Sequence, residues 1–126
     1  MKYVISTEYS CEGCRFVILP PNNRHQALGV SPWYDNVKES EEAKRDFLDL
    51  IYKNNINKIY NKYVKIECEI IEQKDKNNNI QLIPKYKFYY YNDNDKLVFF
   101  RTKGFFQKNN CKKCLTSIYN AVVENY

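Results

Sequence analysis

The sequence predicts an α+β domain: an antiparallel β-meander with a central helix and a C-terminal helix, its two termini clasped by a four-cysteine zinc site. Three observations carry this. Hydrophobic spacing switches from a helical period to a period of two near residue 64. Polar Asn/Asp/Lys turns punctuate the segments that follow. Two Cys-x-x-Cys pairs, Cys11/Cys14 and Cys111/Cys114, stand close to the two ends.

Tyr3 to Ile5 and Phe16 to Leu19 are β-prone runs flanking the first cysteine pair, so a hairpin with a cysteine knuckle at its tip is expected. Pro20, Pro21, Asn22 and Asn23 force a loop after it. Ser31 followed by Pro32 has the form of a helix N-cap with proline at the first helical position. From about Ser40 to Tyr60, Ala43, Phe47, Leu50 and Ile51 recur at helical spacing, and Ile56, Ile59, Tyr60 and Tyr63 continue the pattern less regularly. Glu39, Glu41 and Glu42 suit the positive end of that helix, and Lys58 and Lys62 its negative end. With Asp46 and Asp49 these carboxylates read as a solvated face.

At Val64 the pattern alternates, with Val64, Ile66, Cys68 and Ile70 on one face and Lys65, Glu67 and Glu69 on the other. Lys74 to Asn79 is a turn, Gln81 to Tyr91 a second strand, Asn92 to Asp95 a turn, and Lys96 to Phe106 a third strand. Leu115, Ile118, Tyr119, Val122 and Tyr126 form one stripe of a closing helix, for which Asn110 is the expected cap.

The chain has 126 residues, 44% of them hydrophobic, enough for one domain with a core and too few for two. Twelve Tyr and seven Phe stand beside many Lys, Asn and Ile, the bias an AT-rich coding sequence produces. The formal charge of +5 permits a nucleic-acid partner without demanding one. No run approaches the roughly twenty apolar residues of a membrane span, and no cleavable leader is visible, so a cytoplasmic, reducing location is expected. There, paired cysteines bind metal more often than they form disulfides.

Two residues between cysteines allow a tight turn to aim both sulfurs at one tetrahedral ion, and two such pairs complete a site with no open position for water. Cys11, Cys14, Cys111 and Cys114 are therefore the candidate ligands of a structural zinc. Gly13 gives the knuckle its backbone freedom, while Arg15, Lys112 and Lys113 offset thiolate charge. A hairpin knuckle joined to the first turn of a helix resembles the treble-clef zinc arrangement, although 96 residues separate Cys14 from Cys111. Cys68, on the apolar face of its strand, is expected to be a buried, inert thiol.

No catalytic residues emerge. His25 is the sole histidine and lies in a loop. The His-x-Glu and Pro-Cys-x-x-Cys elements of zinc deaminases are absent, and three glycines do not make a phosphate-cradling loop. A binding protein is expected, not an enzyme. From Lys85 to Lys113, eight basic residues face only Asp93 and Asp95, interleaved with Tyr and Phe. Lys85, Lys87, Tyr89, Tyr91, Arg101 and Lys103 are the candidate partner-binding residues. Cations beside stacking rings suit a single-stranded nucleic acid, and aromatic anchors on a stiff sheet equally suit a protein. A small, cysteine-stapled, AT-biased chain without catalytic motifs resembles the inhibitors that phages and mobile elements direct against bacterial immunity, anti-CRISPR proteins among them. That resemblance implies a stoichiometric partner such as a host nuclease or nucleoprotein.

Overall fold

A computed structural model describes residues 3–22 and 26–125. His25 and Tyr126 lie outside the described residues. The α+β class stands: six strands form one antiparallel sheet, and helices pack on one side of it. In chain order the strands are β1 (Val4–Ser10), β2 (Gly13–Leu19), β3 (Gly29–Val30), β4 (Val64–Lys74), β5 (Ile80–Tyr91) and β6 (Leu97–Phe100). Their order across the sheet is β1-β2-β3-β6-β5-β4, so β4 to β6 form a meander whose last strand joins β3. The two-residue β3 escaped prediction because its only sequence marks are Gly29 and Val30; it is held by Val17 on one side and Phe100 on the other.

The helix expected over Ser40–Tyr60 begins earlier and breaks in the middle. Helix α1 (Val37–Tyr52) starts at Asn36, whose side chain accepts from the Glu39 N–H at 2.9 Å. Ser31 is not a cap: its hydroxyl is buried, accepts from the Phe16 N–H at 3.0 Å and donates to the Pro32 carbonyl at 2.9 Å. A serine followed by proline can serve a strand edge as well as a helix, and only the position of β2 decides. Helix α1 stops where the Asn54 amide donates to the Leu50 carbonyl at 2.6 Å. A one-turn helix α2 (Ile56–Lys58), capped by Asn55, and a π-helical turn over Ile59–Tyr63 then bring Ile59 and Tyr63 into the core. Helix α3 (Lys108–Asn125) places Cys111, Cys114, Leu115, Ile118, Ala121 and Val122 on one buried stripe. Asn110 lies inside this helix, so it is not the cap; its N–H donates to the Gln107 carbonyl.

The core is aromatic. Phe47 of α1 stacks on Phe99 at 4.7 Å and meets Tyr90 edge-on at 5.3 Å, with Phe16 at 5.8 Å. Alternation along β5 sends Phe88 and Tyr90 inward and Tyr89 and Tyr91 outward. Burial, followed by the nearby Cys114, Tyr60 and Cys111, holds the Tyr90 phenol well above its usual range. The chain ends meet at the sheet margin, where the Tyr3 N–H donates to the Glu124 carboxylate at 3.2 Å and the Asn125 amide donates to the Tyr3 carbonyl at 3.1 Å.

Candidate functional site

The four cysteines of the expected zinc site occupy two separate places. Cys11 is exposed at the β1–β2 turn, and Cys14 is buried beside it, exchanging backbone hydrogen bonds with Tyr34 at 2.7 and 2.8 Å. Gly13 has φ +124°, the freedom assigned to the knuckle. Cys111 and Cys114 lie one turn apart on the buried stripe of α3. The Cys114 thiol donates to the Leu28 carbonyl at 3.6 Å and accepts from the Arg101 guanidinium at the same distance. Leu28 is bonded to Ile18, four residues up β2 from Cys14, or about 13 Å along the strand. Between them Phe16 projects onto Phe47 of α1. Among the described residues no three metal-ligating side chains converge. Burial, with some repulsion from Cys114, raises the Cys111 thiol to about 11; burial also raises Cys114 against the pull of Arg101.

Cys68 is exposed, contrary to the expectation of a buried thiol. Its strand face is apolar, but α3 reaches only as far as Val64 and Ile66, and the β4–β5 hairpin continues past the helices as a free ribbon. Alternation identifies a face; it cannot tell how far the covering layer extends.

The opposite face of the sheet holds the aromatic residues that sequence reasoning sought. Directly paired residues of antiparallel strands share a face. The register therefore lays Ser6, Val17, Val30, Phe100, Tyr89 and Lys65 in one row across all six strands. Phe16 points to α1, so this row points away from it. Tyr89 and Phe100 stack at 6.4 Å. Arg15 lies over the Trp33 ring at 4.3 Å, and Lys65 over Tyr91 at 5.0 Å. Val17 is only 1% exposed although α1 and α3 both lie on the other face.

The six residues singled out from the sequence divide. Tyr89, Tyr91 and Lys87 share this outer face. Lys85 shares it too, and its methylenes lie against Gly104. Arg101 turns to the helix side, its guanidinium over Phe105 at 4.5 Å and bonded to the Ala27 and Lys103 carbonyls and to Cys114. Lys103 is exposed at the loop beyond β6. The excess of cations counted along the sequence also shrinks in space. Lys87 and Lys85 stand opposite Glu67 and Glu69, with Lys87 within 3.8 Å of the Glu69 carboxylate, and Arg15 pairs with Glu8 at 2.8 Å. Glu69 lies 18 residues before Lys87, which is why a count from Lys85 to Lys113 missed it; Arg15 and Glu8 both stand outside that segment. Trp33, Phe100 and Val17 were not among the six: Val17 and Phe100 lay in runs read as strands whose outer face could not be told from the inner one, and Trp33 lies in a segment between strands.

A hollow of about 220 Å³ beside α1, lined by Pro32, Tyr34, Asp46, Phe47, Leu50 and Val98, is smaller than the pockets that enclose most organic ligands. Burial, then the Asp46 charge, raises the Tyr34 phenol there. Among the described residues no helix is long and apolar enough to cross a membrane. Neither a family model, nor a curated protein, nor a solved structure matches this chain.

Proposed function

We propose that the chain is a non-enzymatic binding protein that acts stoichiometrically, docking a protein through the outer face of its sheet. Its suggested role is that of a phage or mobile-element inhibitor of a host defence nuclease. The observation that carries this reading is the half-buried set Tyr89, Tyr91, Phe100 and Trp33, seated around the buried Val17 and Val30 on the face away from α1 and α3. Aromatic rings on a stiff sheet bury much area with little ordering entropy, the composition of interface hot spots. Arg15, Lys85 and Lys87 on this face are already opposed by Glu8, Glu69 and Glu67, which favours a protein over a polyphosphate. The nucleic-acid alternative uses the same rings for base stacking and is an outcome of the same test.

The expected result is that a captured nuclease loses activity linearly and completely at one equivalent of this protein. Replacing Tyr89 and Phe100 by Ala should weaken capture at least about 30-fold, the size of a hot-spot loss. Val123→Ala, an exposed position on α3, should leave it unchanged. Undiminished nuclease activity at tenfold excess removes the inhibitor reading. Binding to single-stranded DNA at about 50 mM salt that falls steeply by about 200 mM would replace the protein partner with nucleic acid.

A structural zinc on Cys11, Cys14, Cys111 and Cys114 is a proposal from spacing alone, and it requires the hairpin tip to meet α3. One zinc per chain by elemental analysis of a metal-replete preparation would support it. Less than half an equivalent would remove it.

A further inference from the structure

The β4–β5 hairpin pairs eleven residues on each strand, from Val64↔Tyr90 to Lys74↔Ile80, and its outer half extends beyond the helices. Strand β4 is the sheet margin, so among the described residues its outward N–H and C=O groups have no strand beside them. Proteins usually shorten, cover or bulge such an edge. This one is long and regular, and the ribbon it borders exposes Ile70, Ile80 and Leu82 at 59%, 60% and 68%.

We infer that two copies of this chain pair antiparallel along β4, with a twofold axis through Ile70. Charge complementarity selects both the partner and the register. A twofold axis normal to the sheet sets residues of the same face opposite each other, so it must pass through a residue. Five centres, Glu67, Cys68, Glu69, Ile70 and Ile71, overlap at least seven residues of β4. The first and third oppose one glutamate to its own copy on the axis. Centring on Cys68 sets Glu67 against the partner copy's Glu69, and centring on Ile71 sets it against the partner copy's Asp75. Like charges directly opposite each other weaken a strand pair.

Within β4 only the Ile70 and Ile71 registers are free of such pairs, and of the two the Ile70 register overlaps more of the strand, nine residues against seven, and avoids the Glu67–Asp75 clash just past its end. The Ile70 register sets Lys65 opposite the partner copy's Asp75 at both ends, Glu67 opposite Gln73, Glu69 opposite Ile71, and Ile70 on its own copy. On the inner face Ile70 and Pro84 of each copy then form one apolar row across four strands. Since the axis is normal to the sheet, both outer faces lie on the same side, giving the dimer two copies of that surface. The inference does not depend on what binds there.

The test uses the full chain with the exposed Cys11 replaced by Ser, in sedimentation from about 1 to 100 μM. A dimer is expected. Ile70→Asp sets two carboxylates on the axis and should give a monomer with an unchanged circular dichroism spectrum, because position 70 is solvent-exposed. In the same background, Glu72→Cys should form a covalent dimer on mild oxidation, Cys68 of one copy to the introduced thiol of the other. The Cα atoms of directly opposed residues lie about 4.5 to 5.5 Å apart, within disulfide reach. Without that substitution Cys68 should not cross-link, since the two Cys68 residues are four positions out of register. A monomer at the highest concentration would leave the edge to a strand of some other protein and overturns the inference. A dimer that survives Ile70→Asp, or a Cys68-to-Cys68 cross-link, also overturns it.

Discussion

Phe47→Ala is expected to lower the unfolding free energy by about 3 to 5 kcal/mol, the range for removing a buried phenylalanine and leaving a cavity. Phe47 is 1% exposed and is the side chain through which α1 meets three strands: Phe16 on β2, Tyr90 on β5 and Phe99 on β6. Its removal takes away the transfer free energy of the ring together with its ring contacts on all three. The neighbours cannot collapse into the space, because Phe16, Tyr90 and Phe99 are fixed by strand hydrogen bonds. A domain of this size has about 5 to 15 kcal/mol in total, so the loss is a large share of it. Urea unfolding followed by tryptophan fluorescence reads the change as a shifted midpoint with an unchanged slope. Phe47→Leu, which keeps most of the volume, should cost about 1.5 kcal/mol. Equal losses for the two variants would show that ring packing is not what seats α1.

Gly13→Ala is expected to cost about 3 kcal/mol for a different reason, the strain of a non-glycine residue at positive φ together with weakened hydrogen bonds. Gly13 has φ +124°, and an added Cβ would strike the Tyr34 carbonyl. That carbonyl accepts from the Cys14 N–H at 2.8 Å, and the Tyr34 N–H donates back to Cys14 at 2.7 Å. The substitution therefore pushes on the pair of bonds that fastens the segment carrying Trp33 to the tip of β2. Thermal unfolding should show a midpoint lower by roughly 10 °C. Because Arg15 lies over Trp33, capture through the outer face should weaken as well, even where the protein remains folded. A midpoint within about 2 °C of the parent would mean that the turn is free to relax.

Much of the architecture was legible in the sequence, and particular residues show why. The period-two run from Val64, the strand expected over Gln81 to Tyr91, and the stripe Leu115, Ile118 and Val122 are local patterns. They follow from the geometry of one strand or one helix, so they need no knowledge of the neighbour. Helix limits were less legible. Ser31 and Asn110 have the chemistry of caps, but each is engaged elsewhere, because a hydroxyl or amide bonds whichever backbone group the fold presents. Asn36, the residue that does cap α1, carries the same local signal as its rivals.

The sequence by itself determined the α+β class, the meander, the alternating faces of β4 and β5, and a segment rich in rings and cations. Tertiary structure alone decided three further matters. It set Cys14 against Tyr34 and Cys114 between Leu28 and Arg101, because strand register, not the spacing of the pairs, decides what each thiol meets. It matched Lys85, Lys87 and Arg15 with carboxylates from neighbouring strands, because charge balance is a property of distance in space. It also left Cys68, Ile70 and Leu82 uncovered, because an apolar face is buried only as far as something packs on it. The physical reason is the same in all three: spacing along a chain fixes the direction in which a side chain points, and only the packed fold fixes what it meets there.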